Sequence, residues 1–297
     1  MTRHPAFGLA LAAFGALFLT PDALFMRLSD MDGVQMVAWR GLLMGGVMVL
    51  GWAVISRDRG ADLAHATSGP GLAIVACQFL NSILFCLAIS LAPVAVVLFG
   101  VATVPVFSAL LSRVILGEPT RAATWGAMAG VMLGIGISVL GGEADGLSLD
   151  PRAVIGAAGG LGVAVVLALN FVTLRARPGL PIPLVIGLGA WGAGLTGLAV
   201  TGAGAMTEGH PWAMAATGAV ILPVSFFTLS LAARHTQAAN VSLLMLLETV
   251  LGPVWVWIGV GERPTLAMGL GGAIVVTSLA IYLLVTGRGL RPKQPHG

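Results

Sequence analysis

The sequence predicts an all-α integral membrane protein, with ten transmembrane helices arranged as two inverted five-helix repeats, residues 1–146 and 147–297. Composition leads there first. Of 297 residues, 57% are apolar and only 9% charged, against roughly 25% charged in ordinary soluble domains. The mean hydropathy is +0.98. Fifteen Lys and Arg with twelve Asp and Glu cannot coat a protein that faces water on every side, so most of the surface faces lipid. Second, apolar runs of about 20 residues, the length that crosses a bilayer core, recur ten times, without the alternation a β-barrel requires. Third, the second half of the chain repeats the order of runs in the first.

Span one covers residues 5–28. It follows Arg3 as a signal peptide follows its charged start, but Asp22 interrupts it and nine more spans follow, so it is read as a retained helix. Span two, 33–55, carries Trp39 and Arg40 within its apolar run. Span three, 69–91, holds Gln78, Asn81, Ser82 and Phe85 at i, i+3, i+4 and i+7, which places them on one helical face. Spans four, 93–116, and five, 122–140, are separated by Gly117-Glu118. Span five carries Gly126, Gly130 and Gly134, a double small-xxx-small seam for close packing within the protomer or, as a homodimer, between protomers. Spans six to ten follow at 153–173, 181–200, 211–233, 237–260 and 264–286. Pro21, Pro105, Pro223 and Pro253 lie within spans, where proline frees backbone carbonyls and supplies either ordinary curvature or hinges.

Orientation follows from the cations, since cytoplasmic loops carry the Lys and Arg excess. With the N-terminus inside, Arg3, Arg57, Arg59, Arg113, Arg121, Arg175, Arg177, Arg234, Arg288, Arg291 and Lys293 are cytoplasmic, while only Arg27, Arg152 and Arg263 are outside. Both termini are therefore expected in the cytoplasm of a bacterial-type inner membrane. The pI of about 9.5 is then a topology signal, and no nucleic-acid partner is implied. The longest connection, 56–68, leaves no room for a soluble domain. Trp52, Trp125, Trp212, Trp255 and Trp257 fall near span ends, as interface tryptophans do; Trp39 and Trp191 do not.

Gly117-Glu118 and Gly261-Glu262 lie 144 residues apart, each closing one apolar run before the next, and Ala88 falls over Ala232 at the same offset. Five spans per half is an odd number, so the halves enter the membrane with opposite topology. Such inverted repeats are the architecture of secondary transporters, which bind substrate near the midplane between the halves. The stretch Gln237-Ala-Ala-Asn-Val-Ser-Leu-Leu-Met-Leu-Leu-Glu248-Thr-Val, closing on Gly261-Glu262, resembles the second-half signature of the EamA-type drug/metabolite transporters. The run from Pro93 through Pro105 to Gly117-Glu118, and Arg40 in span two, are similar to that pattern as well. The resemblance implies a central cavity formed by spans one to four and six to nine, with spans five and ten peripheral, and export of small metabolites by alternating access. Val104 stands where the second half has Glu248, so the halves need not contribute equivalent chemistry.

Asp22, Arg40 and Glu248 are the ionisable residues clearly within spans. Each costs roughly 2.5 to 3.5 kcal/mol to insert, so such groups face a cavity or a partner. Asp22 and Arg40 both lie about 10 Å deep at 1.5 Å per residue and are expected to pair, either to lock two helices or to bind substrate. Glu248 is near the midplane with no cation at its depth, so it is either a protonated carboxyl or a site for a substrate ammonium or a proton. Asn170 in span six, Ser225 and Thr228 in span eight, and Asn240 and Ser242 in span nine complete the polar candidates. Phe7, Phe14, Phe18 and Phe25 share a side of span one with Asp22 and could form an aromatic cavity wall with Trp39 and Trp191.

These features point to a secondary exporter of amino acids, aromatic or apolar ones among them, or of related small metabolites. The alternative within the same superfamily is a multidrug or toxic-cation exporter leaning on Glu248. An integral membrane enzyme would need a carboxylate, His or metal cluster near an interface. The five histidines flank the apolar runs and Cys77 and Cys86 lie on opposite sides of one helix, so neither a metal nor another cofactor is expected. A channel filter and an ATP-binding Gly-x-x-x-x-Gly-Lys loop are likewise not evident.

Overall fold

The computed structural model describes residues 5–92, 94–140, 151–261 and 266–288. Pro93, Glu262, Arg263, Pro264, the boundary at 146–147 and the terminal cations Arg3, Arg291 and Lys293 lie outside them. The described chain is all helical, without a strand. Seven of its helices are long and apolar enough to cross a membrane: Phe7–Ser29, Gly33–Ile55, Gly69–Leu91, Ala158–Ala176, Ile182–Thr201, Pro211–His235 and Ala238–Val260. Val104–Leu116 and Ala122–Gly134 are shorter apolar helices. The outer surface is apolar to match, with Val54, Val114 and Leu266 each more than four-fifths exposed, while Asp22, Arg40, Gln78, Asn81 and Glu248 are buried. A water-soluble protein distributes these groups the other way round. The chain is a multi-pass, all-α membrane protein.

The interruptions of the helices matter most for the site. The first span is α1 (Pro5–Leu19) and α2 (Asp22–Ser29), broken at Thr20 and Pro21. Pro21 has no N–H to continue the ladder, and the Thr20 hydroxyl donates to the Leu17 carbonyl at 2.8 Å. An Asp32 carboxylate oxygen then accepts from the backbone of Val34 and Gln35 at 2.8 and 2.9 Å, an N-cap that starts α3 (Gly33–Ile55). The connection read from sequence as a plain loop folds into a short helix, α4 (Arg59–Ala66), capped by Asp58. Next come α5 (Gly69–Leu91), the half-helices α6 (Val94–Val101) and α7 (Val104–Leu116), and α8 (Ala122–Leu140). Pro105 stands in the first turn of α7, where its missing N–H costs nothing.

The second half comprises α9 (Pro151–Ala176), α10 (Ile182–Thr201), α11 (Pro211–Ala216), a π-helical turn at Thr217–Ile221, α12 (Leu222–His235), the half-helices α13 (Ala238–Met245) and α14 (Leu247–Val260), and α15 (Leu266–Arg288). Pro223 stands in the first turn of α12, two residues past the π turn. Pro253 instead lies inside α14, whose span is broken at Leu246. Gly117 and Gly261 end α7 and α14 in the left-handed region, at φ 66° and 81°, where glycine carries no Cβ penalty.

Helix α3 lies along α10, α5 against α9 and α10, α1 against α12, α7 against α9 and α13, and α8 along α15. The α3–α10 contact is the most extensive. A Cβ on Gly45 would stand 2.7 Å from the Trp191 backbone nitrogen, and one on Gly41 would meet the backbone of Gly194. Of the glycines singled out in span five, Gly130 faces Ser278 of α15, whereas Gly126 has nothing within 4 Å of its Cβ position. Gly41→Ala is therefore expected to lower stability by about 1–3 kcal/mol through overpacking. Gly126→Ala should leave it unchanged or slightly higher, since Ala is the better helix former. Thermal unfolding of the two variants in one detergent checks the contrast.

Candidate functional site

All four interruptions converge on one cavity. Leu19 ends α1 and Asp22 starts α2; Val101 ends α6; Leu222 starts α12 after the π turn; Met245 ends α13, with Glu248 just beyond the break; and all six line the same space. Arg40 and Met44 of α3, Gln78, Asn81, Ser82 and Phe85 of α5, Val163 and Leu167 of α9, and Phe226 of α12 complete the wall. The cavity spans about 520 Å³ of atom-free space, part of it open to the outside, and the centre of a water-sized sphere can range over about 40 Å³ of it. It is narrow in this conformation and must widen to admit more than a few waters.

Its electrostatics rest on three side chains. Nη1 of Arg40 donates to Asp22 Oδ1 at 2.9 Å and stands 2.8 Å from Oδ2 in an ion pair, and the guanidinium stands 5.6 Å from the centroid of the Phe85 ring. Both Asp22 and Glu248 occupy the first turn of a half-helix, where unpaired backbone N–H groups and the helix dipole favour negative charge. The helix breaks thus add a modest favourable field to the Arg40 contact at Asp22, and supply one at Glu248. Glu248 lies close enough to Asp22 and Arg40 for their charges to act on it. Among the described residues it has no hydrogen-bond or ion-pair partner at contact distance. Gln78 donates to Ser82 Oγ at 3.3 Å and to Met44 Sδ at 4.0 Å, and its Oε1 has no protein partner.

Seven of the fourteen residues expected from sequence line this cavity: Asp22, Arg40, Gln78, Asn81, Ser82, Phe85 and Glu248. The others lie elsewhere, each for a local reason. Trp39 donates its indole N–H to the Met206 carbonyl at 2.9 Å, tying α3 to the connection after α10. Trp191 packs by its backbone on Gly45 and is 40% exposed on the outer face. Thr228 and Ser242 return their hydroxyls to carbonyls of their own helices, Val224 at 2.8 Å and Ala238 at 2.8 Å. Asn240 donates to Thr236 Oγ1 at 3.1 Å. Asn170 and Ser225 are buried outside the cavity lining. The phenylalanines of span one are not in the wall either: Phe14 is 52% exposed and stacks on Phe18, and Phe25 meets Trp212 edge-on. The aromatic lining comes from Phe85 and Phe226. Phe226 carries no sequence signal separating it from Phe227, its exposed neighbour.

At one end of the bundle, side chains tie neighbouring helices together. Arg175 of α9 donates to Glu118 Oε1 at 3.0 Å and to the Arg234 carbonyl at 3.2 Å. Arg234 in turn donates to the Leu180 carbonyl. Gln237 reaches the Pro119 carbonyl at 3.4 Å. At the opposite end, Gln35 donates to the Ala205 and Glu208 carbonyls at 2.7 and 2.9 Å. Trp255 Nε1 donates to Thr20 Oγ1 at 2.9 Å, bracing α14 against the break in the first span. Among the described residues, no three His, Cys, Asp or Glu side chains gather as metal ligands, and Cys77 and Cys86 are unbridged.

No family model and no curated protein matches the chain. A solved crystal structure is similar to it at TM-score 0.75 over 97% of this chain and 99% of that one, at 18% sequence identity. At that identity the similarity is one of fold.

Proposed function

We propose that the chain is a secondary transporter of the EamA drug/metabolite type, exporting amino acids or related small metabolites across the inner membrane by alternating access. The observation that carries this reading is the convergence of four broken spans on a charged cavity. In transporters, discontinuous helices direct their half-helix ends at the substrate site, and one repeat rocks against the other around it. An enzyme of the membrane interface would place its reactive groups near a bundle end, and these lie at the breaks instead.

Ten spans in two inverted repeats are supported by the helix boundaries. Val94 and Ala238, which start α6 and α13, lie 144 residues apart; so do their ends, Val101 and Met245, and the left-handed glycines Gly117 and Gly261. Contacts repeat in the same sense: α5 packs on α9 as α12 packs on α1, and α7 packs on α9 as α14 packs on α2. The excess of cations at the end holding Arg175 and Arg234 supports a cytoplasmic position for that end and for both termini.

Asp22 and Arg40 neutralise each other, leaving Glu248 as the acid without a contact partner. A substrate ammonium, or a proton, is the complement of that group. The same charge balance favours a second reading, export of a hydrophobic cation. The deciding experiment is efflux of a labelled panel from proteoliposomes, with and without a pH gradient: aromatic, aliphatic and charged amino acids beside a lipophilic cation. Saturable efflux of an amino acid supports the first reading; efflux of the cation alone selects the second; efflux of neither overturns both.

Alternating access requires the tied end to open. Glu118 and Arg175 are about a quarter exposed, so Glu118→Gln should cost less than about 1 kcal/mol of stability. It should nonetheless speed labelling of a Ser112→Cys reporter, a buried residue whose carbonyl accepts the Glu118 N–H, by a water-soluble maleimide. An unchanged labelling rate would deny the pair a gating role.

A further inference from the structure

A second cavity lies away from the central one, at the bundle end that carries Arg234, between the end of α3, the start of α10 and the end of α12. A water-sized sphere can range over about 320 Å³ there, against about 40 Å³ in the central cavity. Two opposite charges line it. Asp62 of α4 accepts the Trp52 indole N–H at 2.8 Å and the Ser56 hydroxyl at 2.6 Å, both at Oδ2. These two donors hold the Asp62 carboxyl below its ordinary range, so it stays anionic through neutral pH. Arg234 spends one guanidinium N–H on the Leu180 carbonyl, and its buried Nε has no partner. The two side chains line the same space, yet they form no ion pair.

The rim of the cavity is apolar and faces outward: Ile55 is 76% exposed, Phe227 is 38% exposed and Leu231 is half-buried. Ile55 is the last residue of α3 and Ile182 the first of α10, so the cavity sits where membrane-long helices begin and end. That is headgroup depth. A cationic side chain in a pocket between helices at this level suits a lipid phosphate, and a carboxylate across the same space suits an ammonium.

We propose that this cavity binds a zwitterionic phospholipid of the phosphatidylethanolamine type, with its phosphate on Arg234, its ammonium on Asp62 and its acyl chains over Ile55, Phe227 and Leu231. The primary ammonium is specified because Asp62 is a hydrogen-bond acceptor and a quaternary ammonium has no N–H to give. The proposal does not rest on transport activity; only the leaflet, the cytoplasmic one, depends on the orientation above.

The test is native mass spectrometry of the full chain with equal amounts of phosphatidylethanolamine, phosphatidylcholine and phosphatidylglycerol, and separately with free phosphoethanolamine. Phosphatidylethanolamine should be retained at least tenfold better than the other three. Asp62→Asn and Arg234→Gln should each remove that preference. Leu231→Trp, which fills the groove and leaves both charges in place, should abolish retention and so decides the matter if Arg234→Gln fails to fold. Equal retention of the three lipids, variants that bind as the parent does, or free phosphoethanolamine binding as tightly as the lipid would each overturn the proposal.

Discussion

Glu248→Gln is expected to abolish gradient-driven transport while leaving the protein as stable as the parent, or more so. The carboxylate is 4% exposed and contributes no described ion pair or hydrogen bond to the fold, so its neutral isostere removes a burial cost without orphaning a partner. Function should respond the other way. If a substrate ammonium sits on Glu248, losing the charge costs at least the 1.4 kcal/mol that makes a tenfold change in affinity. If the group carries a proton instead, Gln cannot take part and the pH gradient should cease to matter. Efflux from proteoliposomes with and without the gradient, beside thermal unfolding of the same preparation, reads both. Unaltered efflux would remove Glu248 from the mechanism.

The second large effect is expected at the Asp22–Arg40 pair, and it is asymmetric. Removing one partner of a buried ion pair typically costs 3–5 kcal/mol, because a charge is left uncompensated, a large part of a total stability of about 5–15 kcal/mol. Arg40→Gln should be the worse single change. It leaves Asp22 and Glu248, two acids that sense one another, sharing a cavity without a cation. Asp22→Asn leaves Arg40 with Glu248 still in range and should be milder. The double variant, neutral at both positions, should recover most of the lost thermal stability. Whether it also recovers efflux separates two roles that the geometry allows: a lock between α2 and α3 would be restored, and a substrate contact would not.

Several elements of this site were open to reading from sequence. A carboxylate and a guanidinium at equal depth in adjacent spans have few alternatives to each other, which is why the Asp22–Arg40 pairing was legible. The i, i+3, i+4, i+7 spacing of Gln78, Asn81, Ser82 and Phe85 was legible for the same kind of reason, since polar groups in lipid must turn inward. Other polar residues were not separable. Thr228 and Ser242 meet the same rule by bonding carbonyls of their own helices, which satisfies them without any cavity. Spacing alone does not distinguish a hydroxyl bonded to its own backbone from one offered to a ligand.

The close crossing of α3 and α10 has a counterpart in the sequence that spacing does not single out. Gly41 and Gly45 of α3 have the same small-xxx-small spacing as Gly126 and Gly130, yet Gly41 meets the Gly194 backbone and Gly126 meets nothing within 4 Å. With 42 glycines in 297 residues, such spacings recur too often to choose among. The short helix α4 was missed because a span count treats anything between apolar runs as connection. Asp62, which belongs to it and pins it to Trp52 and Ser56, now lines the second cavity.

What the sequence determined by itself is the solvent and the cost of each polar group in it: a chain this apolar enters lipid, and the few charges within its spans are driven inward. Those are sums over residues and need no neighbours. Which apolar residues line the cavity, and which helix face meets which, only the tertiary structure decided. In a soluble protein the contrast between water and core writes each helix's facing into its periodicity. Here lipid and core are both apolar, so Phe226 in the cavity and Phe227 on the outside look alike until the helices pack.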